Sequence, residues 1–134
     1  MPEYSDEVLT RVREPQRVGG WPTELADVGT GETGTLDDGT VTRIQVRVSG
    51  ETVVEARFKV FGCSAAIASA SFVAEWLEGA SIDDVRNLKV EHLVAALKLA
   101  PEREHVGRMA VDAGQSAVAN WSSKRRALNA ENES

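Results

Sequence analysis

Cysteine is almost absent from this 134-residue chain, which contains only Cys63. A single thiol excludes an internal disulfide and any Cys-x-x-Cys metal motif. No apolar run reaches the ~18 residues that a membrane-spanning helix needs. The acidic start of the sequence also predicts that no signal peptide is present. Together these absences predict a cytoplasmic protein that does not insert into membranes.

Positive charge is scarce as well, with 15 Lys and Arg against 21 Asp and Glu and a net charge of -6. Nucleic-acid binding needs a basic face, and docking on anionic lipid needs a basic cluster. We therefore expect neither partner. The remaining composition, 42% hydrophobic and 27% charged, is typical of a globular protein. A chain of this length predicts one domain, residues 1–134, with its own core.

Two segments with alternating apolar and polar residues flank the turn Ser49-Gly50-Glu51. They are Val41–Ser49 and Val54–Val60, and they predict an antiparallel hairpin with one face in solvent. The glycine-rich stretch 15–40 predicts a loop that contains one short strand near Ala26–Thr30.

Helical periodicity dominates the rest of the chain, with a first helix within residues 4–14 that Ser5 caps. Further helices are predicted at Cys63–Leu77, after a capping box at Ser81–Asp84, at Val90–Leu97 and at His105–Leu128, with a frayed tail at Asn129–Ser134. The basic run Lys124–Arg126 is expected to complement the negative end of the last helix dipole. We expect three core or interface anchors at Trp21, Trp76 and Trp121. The order of elements predicts an α+β fold: a small antiparallel three-stranded sheet with helices packed on one face.

Cys63 stands where a predicted strand becomes a predicted helix, directly after Gly62. The positive end of the helix dipole favours the thiolate, which is the form that binds metal or attacks sulfur. The alternative is a small buried residue that fills a gap in the core. The residues alone favour that alternative.

Two further side chains are candidate ligands on other segments. His105 opens the last helix, where the dipole disfavours a protonated imidazole and leaves a neutral ring able to bind metal. Asp38 follows Asp37 in the glycine-rich loop and offers a carboxylate. The alternatives are an exposed helix terminus and an ordinary turn, and both are common. His92 lies off the apolar stripe of its helix and is expected at the surface. These residues suggest a metal site spread over three segments.

Five sequence motifs occur together in this chain: Tyr4-Ser5-Asp6-Glu7-Val8, Pro15-Gln16-Arg17-Val18-Gly19, Val28-Gly29-Thr30-Gly31 with Gly34, Ala56–Ser71 and Glu75-Trp76 with Gly79. In this order, over about residues 4–126, they resemble the iron–sulfur cluster scaffold family known as IscU, or the NifU N-terminal domain. The most specific of them is the run around Phe61-Gly62-Cys63-Ser64. The resemblance implies the fold predicted above and a scaffold rather than an enzyme. It also implies a cysteine desulfurase and apo-protein acceptors as partners.

Members of this family resemble one another in holding a cluster with three cysteines, with an aspartate and a histidine close by. Its middle cysteine matches Cys63 and its histidine matches His105. The first cysteine falls on Asp38, the aspartate on Thr40 and the third cysteine on Val106. This chain therefore lacks two thiolates that a 2Fe–2S cluster normally uses.

The resemblance implies a divergent scaffold or metal carrier that binds iron, zinc or a labile 2Fe–2S cluster through Asp38, Cys63 and His105. One oxygen, one sulfur and one nitrogen donor also suit a mononuclear zinc or ferrous site. A cluster shared across a homodimer is a further option, so both monomer and homodimer stay open. The chaperone-recognition segment of the family falls on Leu99–Arg103 and keeps only its first and third residues, so chaperone binding is not expected.

Two other functions remain. One is an adaptor or regulator that keeps the scaffold fold and the desulfurase-binding surface without cluster chemistry. The other is a zinc hydrolase, because three protein ligands with a water form a catalytic zinc pattern. The sequence places no general base for hydrolysis other than Asp37.

Overall fold

The computed structural model describes residues 4–133, and the side chains of residues 4–131. Three strands form one antiparallel sheet in the order β1-β2-β3, and four α-helices accompany it. The strands are β1 Val28–Thr35, β2 Thr40–Ser49 and β3 Thr52–Phe61; the helices are α1 Asp6–Arg13, α2 Ser64–Leu77, α3 Val90–Leu97 and α4 Glu104–Glu133. Short 3-10 turns occupy Leu36–Asp38, Asp84–Asn87 and Pro101–Arg103. The predicted α+β fold with a three-stranded antiparallel sheet is confirmed.

Helices α2 and α4 cover the inner face of the sheet and create the core. Ile44, Val46 and Phe58 point inward from the strands and are at most 2% exposed. They meet fully buried residues of the two helices, among them Val73, Leu77, Ala110, Ala113 and Ala117. The prediction that helices pack on one face of the sheet is therefore confirmed. No helix within residues 4–133 combines the length and the apolar character that crossing a bilayer requires.

Strand β1 is longer, and ends later in the chain, than the short strand expected near Ala26–Thr30. Its glycines had suggested a loop. A Cβ on Gly29 would lie 2.0 Å from the carbonyl oxygen of Ala117, and a Cβ on Gly31 would lie 2.0 Å from that of Ala113. Helix α4 thus rests directly on the strand backbone, which only residues without a Cβ permit. The glycines mark a close helix–strand contact.

A register shift in the second hairpin changes which valine of β3 is buried. The pairing passes from Arg47 opposite Glu55 to Val48 opposite Val53. The extra residue at this bulge is Val54, which is 44% exposed, while Val53 is fully buried. Alternation along Val54–Val60 predicts the same face for Val54 as for Phe58, but the bulge reverses the alternation locally and turns Val54 outward.

The outer face of the sheet is partly covered, so the prediction of an open solvent-facing side was wrong for its middle. Gln45 points outward, yet it is only 2% exposed. Its side-chain amide donates to the Trp21 carbonyl at 3.0 Å and its oxygen accepts from the Trp21 N–H at 2.8 Å. The Arg57 guanidinium lies 4.3 Å from the Trp21 ring. Trp21 therefore anchors a loop across the outer face, whereas Trp121 is buried in the core as expected.

The C-terminal region differs from expectation in two ways. Helix α4 continues to Glu133, so the prediction of a frayed tail from Asn129 was wrong for residues 129–133. Lys124 therefore does not sit at the end of the helix dipole. Its ammonium donates to the carbonyls of Thr23, Leu25 and Val28 instead, the last at 2.8 Å. This lysine ties the loop before β1 to α4.

Of the two predicted capping residues, Ser5 is the N-cap of its helix, whereas the N-cap of the segment after Ser81 is Asp83. The Ser5 hydroxyl accepts from the Val8 N–H at 3.1 Å and caps α1. The Ser81 hydroxyl accepts from the Asp84 N–H at 3.2 Å. The segment that follows Ser81 is a 3-10 turn of four residues rather than an α-helix.

Candidate functional site

Three chain segments meet at one end of the sheet. Thr35 at the end of β1 pairs with Thr40 at the start of β2, and Val41 pairs with Phe61 at the end of β3. The turn Leu36–Asp38 and the β3–α2 junction therefore lie at the same end. Helix α4 reaches this end too, because the Thr33 hydroxyl donates to the carbonyl of Met109 at 2.9 Å. The fold brings together the segments that carry Asp38, Cys63 and His105.

Cys63 is the N-cap residue of α2, with extended backbone angles φ -77° and ψ 170°. Its carbonyl accepts the first helical hydrogen bond, from the Ile67 N–H at 3.1 Å. Its side chain makes no capping hydrogen bond, is half-buried and packs against the core. The side chain therefore lies, partly buried, at the N-terminal end of a 14-residue helix, where the helix dipole favours negative charge.

Thr40 lies against the backbone that leads into Cys63. A Cβ on Gly62 would be 3.1 Å from the Thr40 methyl carbon and 3.3 Å from its hydroxyl oxygen. The position that the resemblance assigns to an aspartate is therefore directly beside the β3–α2 junction. In this chain it offers a methyl group and a hydroxyl rather than a carboxylate.

Asp38 is exposed and engaged in its own turn. Its carboxylate accepts from the Thr35 hydroxyl at 2.8 Å, and its N–H donates to the same hydroxyl at 3.3 Å. Gly39 follows in the left-handed region with φ 82° and closes the turn. The turn interpretation of this motif is therefore confirmed. These local hydrogen bonds hold the carboxylate at the tip of the β1–β2 hairpin.

His105 is exposed on the first turn of α4. Val106, which follows it, is 1% exposed and belongs to the core. A residue at position 106 is therefore directed inward, whereas His105 is directed to solvent. His92 is exposed as expected, and its Nδ1 accepts from the Lys89 N–H at 3.2 Å.

The donors themselves are not gathered into a metal-binding group. Among the residues whose placement the structure describes, no three His, Cys, Asp or Glu side chains stand close enough to hold a metal ion. A thiolate, an imidazole and a carboxylate are donors that zinc and ferrous iron accept. The three donor types therefore fit such a metal. In this conformation, however, the chain segments that carry them lie at one end of the sheet while the donor side chains themselves stay apart. Asp38, Cys63 and His105 remain a predicted ligand set.

A groove beside this end of the sheet escaped the sequence analysis. It has a volume of about 600 Å³ and lies on the outer face, and its lining includes Leu36, Arg43, Lys59 and Phe61. Leu36 is 70% exposed and Phe61 is 60% exposed. Two sequence signals pointed to it: an apolar residue in a polar turn, and an aromatic residue outside the alternation of β3.

Comparison with known proteins places the chain in a family. The family model described as NifU-like N terminal domain matches residues 3–128. The iron-sulfur cluster assembly scaffold protein IscU of Escherichia coli (strain K12) is 38% identical over 125 residues, which are 92% of this chain and 98% of that protein. The IscU of Rickettsia prowazekii is 36% identical over 123 residues, 91% of this chain and 94% of that protein.

Solved structures agree on the fold. The N-terminal part of a nitrogen-fixing NifU-like protein from Brucella abortus superposes with a TM-score of 0.68 at 17% identity, over 90% of this chain and 94% of that chain. An iron-sulfur cluster assembly scaffold protein for the SUF system from Fervidobacterium islandicum superposes with a TM-score of 0.64 at 15% identity, over 87% of this chain and 96% of that chain. The matched family model and the IscU relatives together show that this chain belongs to the NifU-like N-terminal domain family.

Proposed function

We propose that this protein is a divergent iron–sulfur cluster assembly scaffold or metal carrier, active as one cytoplasmic domain over residues 1–134. The observation that carries the proposal is the state of Cys63. Its side chain is partly buried, makes no capping hydrogen bond and stands at the N-terminus of α2. The hairpin tip and the start of α4 converge on the same end of the sheet. The IscU relatives, named as scaffolds of cluster assembly, support the same function.

Cys63 has two roles in this proposal: it receives sulfur and it binds metal. The partner that delivers sulfur is a cysteine desulfurase carrying a cysteine persulfide. The Cys63 thiolate attacks the terminal sulfur of that persulfide, the S–S bond of the desulfurase breaks, and its cysteine leaves as a thiolate. The new persulfide then stays on Cys63.

His105 and Asp38 supply the remaining protein ligands for the cargo, which is iron, zinc or a labile 2Fe–2S cluster. Both side chains are exposed, so they exchange readily with water or with the ligands of an apo-protein acceptor. The carboxylate of Asp38 first has to leave the hydroxyl of Thr35. Transfer by ligand exchange requires no catalysed covalent step on the acceptor, and we therefore propose a carrier rather than an enzyme.

An adaptor that has lost cluster chemistry is the second candidate, and two observations favour it. No group of three metal-binding side chains stands together in residues 4–131. The two positions where the family has a cysteine and an aspartate hold the core residue Val106 and the packed residue Thr40. Such a protein would keep the desulfurase-binding surface and compete with an active scaffold.

Anaerobic analysis of metal and acid-labile sulfide separates these functions. The protein is measured before and after incubation with iron, cysteine and a cysteine desulfurase. Iron with a matching amount of sulfide indicates a scaffold, and metal without sulfide indicates a mononuclear carrier. The absence of both indicates the adaptor.

Two variants make the test specific for the thiol. Cys63→Ser should lose most bound metal and should show no persulfide in an intact-mass measurement, because serine is a poor ligand and cannot accept sulfur. Ser64→Ala changes the adjacent half-buried residue of the same helix turn and should bind metal like the unmodified chain. Undiminished metal in Cys63→Ser would remove this residue from the site.

A further inference from the structure

A second groove runs along α4 and ends at the side of the sheet that lies away from Cys63. It consists of two cavities of about 420 and 290 Å³, which share Ile82 and lie between residues 82–89 and residues 115–129 of α4. The Arg125 guanidinium at its far end donates to the Gly50 carbonyl at 3.2 Å, in the turn that follows β2. Strand β2 has 10 residues and is therefore about 30 Å long. We call the two cavities together the distal groove.

The walls of the distal groove are held in place by hydrogen bonds between separate parts of the chain. The Gln115 side-chain amide donates to the Val85 and Leu88 carbonyls, at 3.3 and 3.2 Å. The Ile82 N–H donates to the Glu51 carbonyl at 2.9 Å. Because these walls are already fixed, binding in the groove orders few protein groups, which lowers its entropic cost.

The distal groove is basic, although the chain as a whole has a net charge of -6. Among the side chains that the structure describes, the groove is lined by one carboxylate, that of Glu51, and by four cations. The cations are Arg86, Lys89, Arg125 and Arg126, and all four are exposed. Cations concentrated in a groove attract negatively charged groups of another molecule.

The arginines of the groove keep donors available for such groups. The guanidinium of Arg86 is 3.7 Å from the carboxylate of Asp83, in a pair whose side chains are 76% and 79% exposed. An ion pair this exposed contributes little. Arg126 donates to the Ser123 hydroxyl at 3.4 Å, and Arg125 uses one nitrogen on a carbonyl of the β2–β3 turn. Since a guanidinium has five N–H donors, each arginine retains donors for a ligand.

The distal groove also has an apolar lining. Val85, Val118 and Trp121 line it and are at most 7% exposed. Ile82, which joins the two cavities, is half-buried, and Ala119 is exposed. A groove of this kind favours a ligand that carries apolar groups beside its charges, because both kinds of contact are then made.

We propose that the distal groove binds an acidic, partly apolar segment of a partner protein. Residues 115–129 of α4 line it and extend over about 21 Å, the length of about fourteen helical residues or about six extended ones. Arginine binds a carboxylate through two parallel hydrogen bonds. A nucleic acid fits less well, because its phosphates would not use the apolar lining and would be repelled by a chain with a net charge of -6.

The position of the groove leaves the Cys63 end of the sheet uncovered. Helix α4 meets that end near Met109, whose carbonyl accepts from the Thr33 hydroxyl, whereas the α4 wall of the groove begins at Gln115. One partner can therefore bind the distal groove while another molecule reaches Cys63. This surface goes beyond the proposed function, since it requires neither the thiol nor a metal.

Fluorescence anisotropy with the full chain tests the charge complementarity. The probe is a fluorescein-labelled peptide of about fourteen residues, in which pairs of glutamate alternate with pairs of leucine. We expect a dissociation constant below ~1 mM at low salt and weaker binding at ~0.5 M salt. The same peptide with glutamine in place of glutamate should bind about tenfold more weakly. No binding of the glutamate peptide up to ~1 mM, or equal binding of the glutamine peptide, would overturn the proposal.

Charge-reversal variants test the groove itself. Arg86→Glu and Arg126→Glu each change one cation in a different cavity, and each should raise the dissociation constant about fivefold or more. Arg126→Lys keeps the charge and should stay within about threefold of the original constant. Arg13→Glu is the matched control, because it changes the net charge equally at an exposed position on α1. Reversal variants that remain folded by circular dichroism and bind like Arg13→Glu would refute the site.

Amide NMR signals of the ¹⁵N-labelled chain locate the bound peptide. Signals of residues 82–89 and 115–129 should shift when the glutamate peptide is added, whereas shifts centred on Cys63 would contradict the proposed location. Single-stranded DNA of about fourteen nucleotides should bind more weakly than the peptide, and tighter binding of the DNA would overturn the assignment to a protein partner. Cys63→Ser should bind the peptide like the unmodified chain, so a failure of the proposed scaffold function leaves this result unchanged. Loss of peptide binding in that variant would refute the distal groove as the site.

Discussion

Gly31→Ala tests the contact that holds β1 against α4. The added Cβ would lie 2.0 Å from the carbonyl oxygen of Ala113, 2.6 Å from the N–H nitrogen of Ala117 and 2.9 Å from the Cβ of Ser116. Two of these three atoms are helix backbone, which no side-chain rotation can move. The strand is fixed on its other side by its pairing with β2. The clash therefore has to separate the helix from the sheet.

The expected loss follows from this geometry. Overpacking a tightly filled contact costs about 1–3 kcal/mol, and a clash with backbone belongs at the upper end. Replacing glycine also lowers the entropy of the unfolded chain, which offsets only about 0.4–1 kcal/mol. We expect a net destabilisation of about 2–2.6 kcal/mol, a large part of a total stability of roughly 5–15 kcal/mol. For a chain of this size the midpoint of thermal unfolding should fall by about 10 °C.

Urea unfolding followed by circular dichroism measures this loss. Gly39→Ala is the matched control, because a Cβ there has no atom within 4 Å and the residue has φ 82°. It should cost only the left-handed backbone strain, about 1 kcal/mol. A Gly31→Ala variant no less stable than Gly39→Ala would refute the close contact between helix and strand.

Two further predictions concern α1 and the start of α4. The pKa of Glu7 lies below its ordinary value of 4.5 because its own backbone N–H and the Lys98 ammonium favour the carboxylate. A lowered folded-state pKa gives stability that is present above the ordinary value and lost as pH falls through the folded value. Thermal unfolding from about pH 6 to about pH 3 should therefore show a larger loss for the unmodified chain than for Glu7→Gln, and parallel curves would contradict this ion pair. Val106→Cys should raise the iron and sulfide bound after reconstitution, because it places a second thiol at the position that the resemblance assigns to a cysteine, now held by a valine that is 1% exposed; an unchanged yield would contradict that assignment or its geometry.

Most of the fold could be predicted because its signals are local. The helices α2 and α3 follow from apolar spacing and clear stop residues, and the β2–β3 hairpin follows from alternation around Gly50. The extent of β1 could not be predicted in this way, because Gly29 and Gly31 are poor strand formers when considered alone. Their place in a strand depends on the approach of α4, a contact between residues about 85 positions apart. The cover of Gln45 by Trp21 is equally non-local.

For the candidate site, too, only the part with a local sequence signal could be predicted. The position of Cys63 at the N-terminus of a helix could be predicted, because the change from alternation to helical spacing occurs at Gly62. The arrangement of Asp38 and His105 could not be predicted. Both are exposed side chains at the end of a turn or helix, where packing does not fix the orientation of a side chain.

The positions that the resemblance assigns to further ligands bear directly on the proposed function. Val106 is part of the core at 1% exposure, and Thr40 packs its methyl group against Gly62. Both residues contribute to packing in this chain, which offers a single thiol, Cys63, at the N-terminus of α2. A cluster bound here, as proposed, would therefore need ligands beyond those of one cysteine.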